Sequence, residues 1–134
     1  MKKLIKWIIT ATLLTVLASF YCASAMAEVS YSGVWGTLTW TLDNAGTLVI
    51  SGSGEMSDLS YSTDDAWRAH KAEIKKVILE PGVTSTGNFA FYECSILTEA
   101  TLPTSVTKIG GQTFGGCSSL TSITIPENVT SIGN

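Results

Sequence analysis

Apolar positions recur along this chain in two rhythms, and each predicts a different kind of element. From Ser32 to Gly54 the rhythm is two. Leu38, Trp40 and Leu42 share one face, Leu48 and Ile50 answer them, and Asp43-Asn44-Ala45-Gly46 between them is a turn sequence. That alternation predicts a β-hairpin with one buried face. From Ile74 onward the rhythm is 23 residues: IKKVILEPGVTSTGNFAFYECSI, then LTEATLPTSVTKIGGQTFGGCSS, then LTSITIPENVTSIGN, which stops partway at Asn134. Equivalent positions match in type. Ile74, Leu97 and Leu120 correspond, as do Leu79, Leu102 and Ile125; Val83, Val106 and Val129; Phe91 and Phe114; Cys94 and Cys117.

A fixed period of this length with an L-x-x-L-x-L core is the pattern of a leucine-rich-repeat solenoid. One unit cannot bury its apolar face alone, whereas stacked units share a continuous core. The predicted fold is mainly β, with short strands and short helical turns. In LTSITIP the residues Leu120, Ile123 and Ile125 are expected to point inward, and Ser122 and Thr124 outward, because side chains alternate along a strand. Pro103 and Pro126 end their strands, since proline has no N–H for the next ladder position. Leu97, Leu102, Val106, Cys94 and Cys117 complete the expected core, with Phe91 and Phe114 plugging it from the convex side. Gly87, Gly110 and Gly133 are read as tight turns. Between hairpin and repeats, residues 58–65 read as a loop. Residues 66–74 read as a helix, with Asp64 and Asp65 at its start. Hairpin and helix together (residues 28–73) form the expected cap over the open end of the repeats, residues 74–134.

Proline after the strand and the run V-T-S-I-G-x-x-A-F-x-x-C resemble the BspA-like leucine-rich-repeat family of bacterial surface proteins. The matching stretches are LTSITIPENVTSIGN and GVTSTGNFAFYEC, and LTWTLDNAGTLVISGSGEM resembles the hairpin that often precedes such repeats. The resemblance covers roughly residues 33–134. It departs at Thr86, where the other copies have Ile109 and Ile132; at Ala100, against Val77 and Ile123; and at Thr113, against Ala90. Each departure is expected to loosen one coil. The resemblance implies adhesion to host or matrix proteins, or to other bacteria.

The first 27 residues carry different information. Lys2, Lys3 and Lys6 precede an uncharged apolar run from Trp7 to Phe20, and small residues follow as Ala23-Ser24-Ala25 or Ala25-Met26-Ala27. That order is a secretory signal peptide cleaved after Ala25 or Ala27. The apolar run is shorter than the roughly 20 residues of a membrane span, so no stable span is expected after cleavage. Cys22 follows bulky Phe20 and Tyr21, which is no lipobox. Removing the leader takes three of the eight basic residues and leaves five against eleven acidic ones, a net charge near −6. An acidic chain without a basic cluster is a poor partner for nucleic acid, whose binding rests on Lys and Arg meeting phosphates.

Candidate chemistry is sparse, and no catalytic residue, cofactor or metal site is assigned. Cys94 and Cys117 read as buried thiols, with a disulfide between adjacent coils as the alternative; a metal site would need further ligands, and the only His is His70. The glycine pairs Gly110-Gly111 and Gly115-Gly116 lack the Gly-Lys-Ser/Thr of a phosphate loop. Asn128-Val129-Thr130 fits a glycosylation sequon, a short pattern that also recurs by chance. The favoured reading is an exported, non-catalytic protein whose outward strand positions bind an extracellular or surface protein. Those positions are Lys76 and Ile78, Glu99 and Thr101, Ser122 and Thr124. One alternative is the front end of a larger surface protein whose repeats act as a spacer. A weaker one is a carbohydrate-binding module using Trp35, Trp40 and Trp67.

Overall fold

Two ladders of strands run side by side through the computed structural model, which describes residues 28–62 and 64–134. The predicted leader lies outside the described residues. The chain is mainly β. Strands β1 (Val29–Trp35), β2 (Leu38–Asp43) and β3 (Thr47–Gly52) form an antiparallel meander. Strands β4 (Gly54–Glu55), β5 (Lys76–Leu79), β6 (Val83–Thr86), β7 (Glu99–Thr101), β8 (Lys108–Ile109) and β9 (Ser131–Ile132) follow. The first sheet has the order β1-β2-β3-β5-β7 and the second β4-β6-β8-β9.

The hairpin forms for local reasons. Asp43 Oδ1 accepts the N–H groups of Ala45 and Thr47 at 2.9 and 2.7 Å, and Gly46 takes a φ of +86° that completes the turn. An Asx turn closed by glycine supplies what two antiparallel strands need at a corner. Leu38, Trp40, Leu42, Leu48 and Ile50 are buried, as the alternation requires.

The hairpin is part of the ladders themselves. Strand β3 pairs in parallel with β5, Thr47 beside Lys76 and Ile50 beside Leu79, and β4 pairs with β6, Gly54 beside Val83. Residues 47–59 are therefore a rung of both ladders, 29 positions before their partners apart from a register shift at Glu55, whereas the later rungs pair at 23, Lys76 with Glu99 and Ser85 with Lys108. The six extra residues lie between Leu59 and Ala66. Beyond them the shorter spacing returns: Ala66, Phe89 and Gln112 share a left-handed backbone, with φ of 52°, 58° and 52°. Both sheets thus cross the boundary expected near residue 73.

The helix expected over residues 66–74 is shorter, a 3-10 helix over Ala66–His70. Its start is fixed by the rung geometry and not by a cap, since Asp65 makes no side-chain capping bond. Trp67 and Arg68 are both fully buried, so the segment has no single apolar stripe to extend as an amphipathic helix. Trp67 donates from Nε1 to the Ala90 carbonyl at 2.7 Å. Arg68 donates to the carbonyls of Ser60 and Tyr61 and sits over the Tyr92 ring, so its charge holds the six-residue insertion against the core.

The third repeat departs from expectation. Its second half joins the second sheet, with Ile109 beside Ile132 and Thr130 N–H on the Thr107 carbonyl at 2.8 Å. Its first half, residues 120–125, forms no strand and does not pair with β7. Ile125, expected in the core, is 40% exposed and Ile132 is 60% exposed, while Leu120 and Ile123 are half-buried. No further rung lies over them among the described residues, so their outer sides face solvent. Leu102 and Phe114 are likewise half-buried, whereas Leu97, Val106, Phe91 and Cys94 are fully buried.

The departures at Thr86 and Thr113 do not loosen the stack. Both side chains are buried, and their hydroxyls meet at 3.3 Å. Thr113 Oγ1 also donates to the Gly110 carbonyl at 2.6 Å, and Gly110 N–H donates to Thr86 Oγ1 at 3.0 Å. Two polar substitutions one rung apart satisfy each other, the condition for burying a hydroxyl without penalty. The glycine column has a different cause from the one its sequence suggests. None of Gly87, Gly110 and Gly133 has a positive φ; instead, a Cβ on Gly110 would lie 2.4 Å from the Gly87 backbone. These glycines let successive rungs approach.

Candidate functional site: the outer face of the five-stranded sheet

The outer face is built by the same alternation that fills the core. Between buried Val77 and Leu79, the side chains of Lys76 and Ile78 must point away, and Glu99 and Thr101 stand directly beside them on β7. Structure therefore brings four of the six predicted positions together. The remaining two, Ser122 and Thr124, are exposed but stand across a slot of about 380 Å³ whose other wall is Thr98–Leu102. Ala100 lines that slot, at the place where an inward Val77 fills the preceding rung.

The face is wider than the repeats alone indicate. On β3 the outward positions are Thr47, Val49 and Ser51, and on β2 they include Thr39 and Thr41. Pairing lines them up. One row runs Ser32, Thr41, Val49, Ile78, Thr101; another runs Thr47, Lys76, Glu99. Thr39 and Ser51 hydrogen-bond through their hydroxyls at 2.9 Å. These hairpin residues escape a reading based on a period of 23, because β3 enters the ladder at a spacing of 29. The signal was present in TLVIS, whose alternation predicts Thr47, Val49 and Ser51 outward once its partner strand is known.

Chemically the face is hydroxyl and aliphatic. Lys76 and Glu99 neutralise each other through an ion pair of 2.8 Å. Both are well exposed, so the pair adds little stability. It lies at one end of the rows and leaves the middle row uncharged. Such a surface offers backbone-like hydrogen bonding and modest apolar contact, with no cluster of cations for phosphate.

Other candidate groups are accounted for within the fold. Cys94 and Cys117 are buried and unlinked. Burial pushes the Cys94 thiol up to about 12, and burial also raises Cys117, whose Sγ donates to the Phe91 carbonyl at 3.1 Å. His70 stacks on Tyr31 with ring centres 3.7 Å apart and meets Glu73 at 3.3 Å. Lys71 bridges Asp64 and Glu93 at 3.2 Å each, and those hydrogen bonds, Glu93 first, hold its pKa above the usual lysine value. Asn128 donates from Nδ2 to the Thr104 carbonyl at 2.8 Å, an inter-rung bond in place of a free amide. Trp67 and Trp40 are buried and Trp35 half-buried. The three pack edge to face at 6.2 and 6.4 Å around Trp67, so they form no exposed platform for a sugar ring. Among the described residues no group of three His, Cys, Asp or Glu side chains is placed to hold a metal ion, and no helix is long and apolar enough to cross a membrane.

Stacked parallel rungs with an apolar interior and a glycine column define a leucine-rich-repeat protein. Residues 66–134, half of the chain, match the family model described as the BspA type leucine rich repeat region, and the chain belongs to that family. Its fold is similar to a leucine-rich repeat protein from Eubacterium ventriosum ATCC 27560, at 31% identity and a TM-score of 0.69 over 77% of this chain and 28% of that one. It is also similar to a leucine rich cell surface protein from Faecalibacterium prausnitzii A2-165, at 26% identity and a TM-score of 0.47 over 78% of this chain and 33% of that one. The chain thus spans about a third or less of the length of these relatives. Among curated proteins, none matches the chain.

Proposed function

We propose that this chain is part of an exported, surface-located leucine-rich-repeat solenoid that binds an extracellular protein through the outer face of its five-stranded sheet, without catalysis. The observation carrying this reading is the row Ser32–Thr41–Val49–Ile78–Thr101, an uncharged strip that crosses all five strands. An uncharged strip across five strands suits an extended partner surface, where many modest contacts sum. Export is supported by the leader pattern in residues 1–27, and surface location by membership of the BspA-type family. A single copy should bind weakly, with Kd about micromolar or poorer, and display on beads should raise capture through avidity.

The test is capture of purified extracellular-matrix and bacterial-surface proteins by bead-displayed protein. Capture by the parent that disappears in Ile78→Asp/Thr101→Asp, with an unchanged urea midpoint, supports the reading. No capture of any such protein sinks it for this segment. A second reading is favoured by the coverage of the Eubacterium ventriosum relative, of which this chain matches 28%. Here the segment is a spacer, and binding resides elsewhere in a longer protein; capture that is unaffected by the double substitution, or seen only with longer chains, supports that one.

A further inference from the structure

The five-stranded sheet begins at a strand whose outer edge is open. Among the described residues β1 pairs only with β2, so one row of its N–H and C=O groups has no ladder partner there. Edge strands in soluble proteins are commonly blunted by charge or proline. VSYSGVW has neither. Three of the exposed large apolar residues lie on it: Val29 at 55%, Tyr31 at 40% and Val34 at 71%.

We propose that β1 is a homodimer interface, in which two copies pair β1 to β1 antiparallel about a two-fold axis at Gly33. Register and chemistry single out a second copy as the occupant. The pairing with β2 is shifted between Val29 and Tyr31, so the unbroken stretch is Tyr31–Trp35, and Gly33 is its centre. The two-residue loop Gly36-Thr37 makes Trp35 and Leu38 the closing pair of the hairpin. Hydrogen-bonded pairs alternate from there, so Trp35, Gly33 and Tyr31 turn their backbone groups to β2, while Ser32 and Val34 turn theirs to the open edge. Two copies centred on Gly33 place Ser32 opposite the partner's Val34 and Val34 opposite the partner's Ser32. Both are hydrogen-bonding pairs, and they satisfy all the open groups of the stretch.

Side chains agree with that register. The axis falls at a non-hydrogen-bonded site, where strands approach most closely, and there the residue is glycine. Gly33 is already required within one copy, because a Cβ on it would lie 2.7 Å from the Trp40 indole nitrogen. On the core side Tyr31 comes opposite the partner's Trp35, an aromatic cross-strand pair of the kind that strengthens sheets. On the outer side the two Val34 side chains meet diagonally and lose their exposure. A two-fold axis normal to the sheet keeps both outer faces on the same side, so the dimer presents one ten-stranded face. The two strips of hydroxyl and aliphatic residues then act together.

The experiment is sedimentation equilibrium on the chain beginning at Glu28, which contains the whole described core, from about 1 to 200 µM. A concentration-dependent dimer is expected. Val34→Lys, which puts a charge beside its own copy across the axis, should make the chain monomeric. Ser32→Pro should do the same by removing an edge N–H that β2 does not use. Compared at about 1 µM, where the parent is itself expected to be monomeric, the near-UV circular dichroism of each variant should match the parent's, which separates loss of pairing from loss of fold. A parent that remains monomeric at 200 µM overturns the proposal. So does a dimer that survives both substitutions, which places contact on another surface such as exposed Ile125 and Ile132, and so does one broken by Val34→Lys but not by Ser32→Pro, which reports apolar association without strand pairing. If a variant loses its near-UV signal, Thr39→Lys, facing outward on β2 away from the edge, serves as the charge control; a dimer equally weakened by it counts against the edge.

Discussion

Phe91→Ala separates the two halves of the core most sharply. Phe91 is fully buried, with the Phe114 ring 5.4 Å away on one side and Trp67 6.2 Å away on the other. Emptying a buried phenylalanine site costs about 3–5 kcal/mol, the more so where the surroundings cannot collapse. They are held here by backbone bonds between rungs. Phe91 N–H donates to the Thr113 carbonyl at 2.9 Å, and the Trp67 indole bonds the adjacent Ala90 carbonyl. The upper part of that range, about 4–5 kcal/mol, is therefore expected. Phe114 occupies the equivalent place one rung on but is half-buried, so Phe114→Ala should cost about 2–3 kcal/mol. With a urea slope of about 2 kcal/mol/M, the midpoint should fall by about 2 M for Phe91→Ala and about 1 M for Phe114→Ala. Against a total of about 5–15 kcal/mol for a native domain, the first change brings the fold close to failure. Equilibrium urea unfolding followed by tryptophan fluorescence measures both, with Thr101→Ala on the outer face as a control expected within about 0.5 kcal/mol. A midpoint shift for Phe91→Ala no larger than that for Phe114→Ala would refute the graded burial described above.

Three further outcomes follow from single features. Gly110→Ala should destabilise by about 1–3 kcal/mol by forcing rungs apart, although its φ suits alanine; a neutral result in the same urea assay would remove the close-approach explanation. Thr86→Val and Thr113→Ala should show a coupling of about 1 kcal/mol in a double-mutant cycle, and additive losses would mean that their hydroxyls act separately. Cys94 should resist iodoacetamide in the native protein at pH 8 and react after unfolding. Its folded pKa is raised from 9.0 to about 12, so its contribution to stability is full below pH 9 and declines as pH rises towards about 12. Cys94→Ala should lower the urea midpoint at pH 7 but make it less sensitive to pH above 9, and an unchanged alkaline slope would count against a buried neutral thiol.

The repeats announce much of this architecture because each rung repeats the same inward residues. The match of Val83 to Val106, for example, puts two buried valines one above the other, and the spacing of Lys76 to Glu99 predicts their pairing on adjacent strands. What stays hidden is set by contacts distant in sequence. Strand β3 joins the same ladder, but the six residues before Ala66 shift its partner from 23 to 29 positions away, which removes it from the visible period. Arg68 carries the mark of a surface residue, yet the carbonyls of Ser60 and Tyr61 give its guanidinium partners inside. Thr86 and Thr113 look like defects singly and become a buried pair together. In the opposite sense, LTSITI reads as a strand as strongly as any segment, yet it lies unpaired beside β7, and Ile125 stays exposed. Strand propensity describes fit to a half-buried surface, and that surface has to be present. On the site, alternation identifies Lys76, Ile78, Glu99 and Thr101, and it also turns Thr39, Thr41, Thr47, Val49 and Ser51 away from the core, but that these share one face with the repeat positions emerges only from the pairing.

The outer face itself is best tested by comparing two charge-bearing variants of the bead-displayed protein in one capture assay. Val49→Asp/Ile78→Asp places two carboxylates in the uncharged middle row of the five-stranded sheet. Thr107→Asp/Thr130→Asp places two on exposed positions flanking the strands of the other sheet. Both variants carry the same added charge, so a general electrostatic effect would weaken them alike. The account predicts that the first loses capture of extracellular protein while the second retains it, with both unfolding cooperatively in urea. Equal capture by the two, or loss in the second alone, would contradict it.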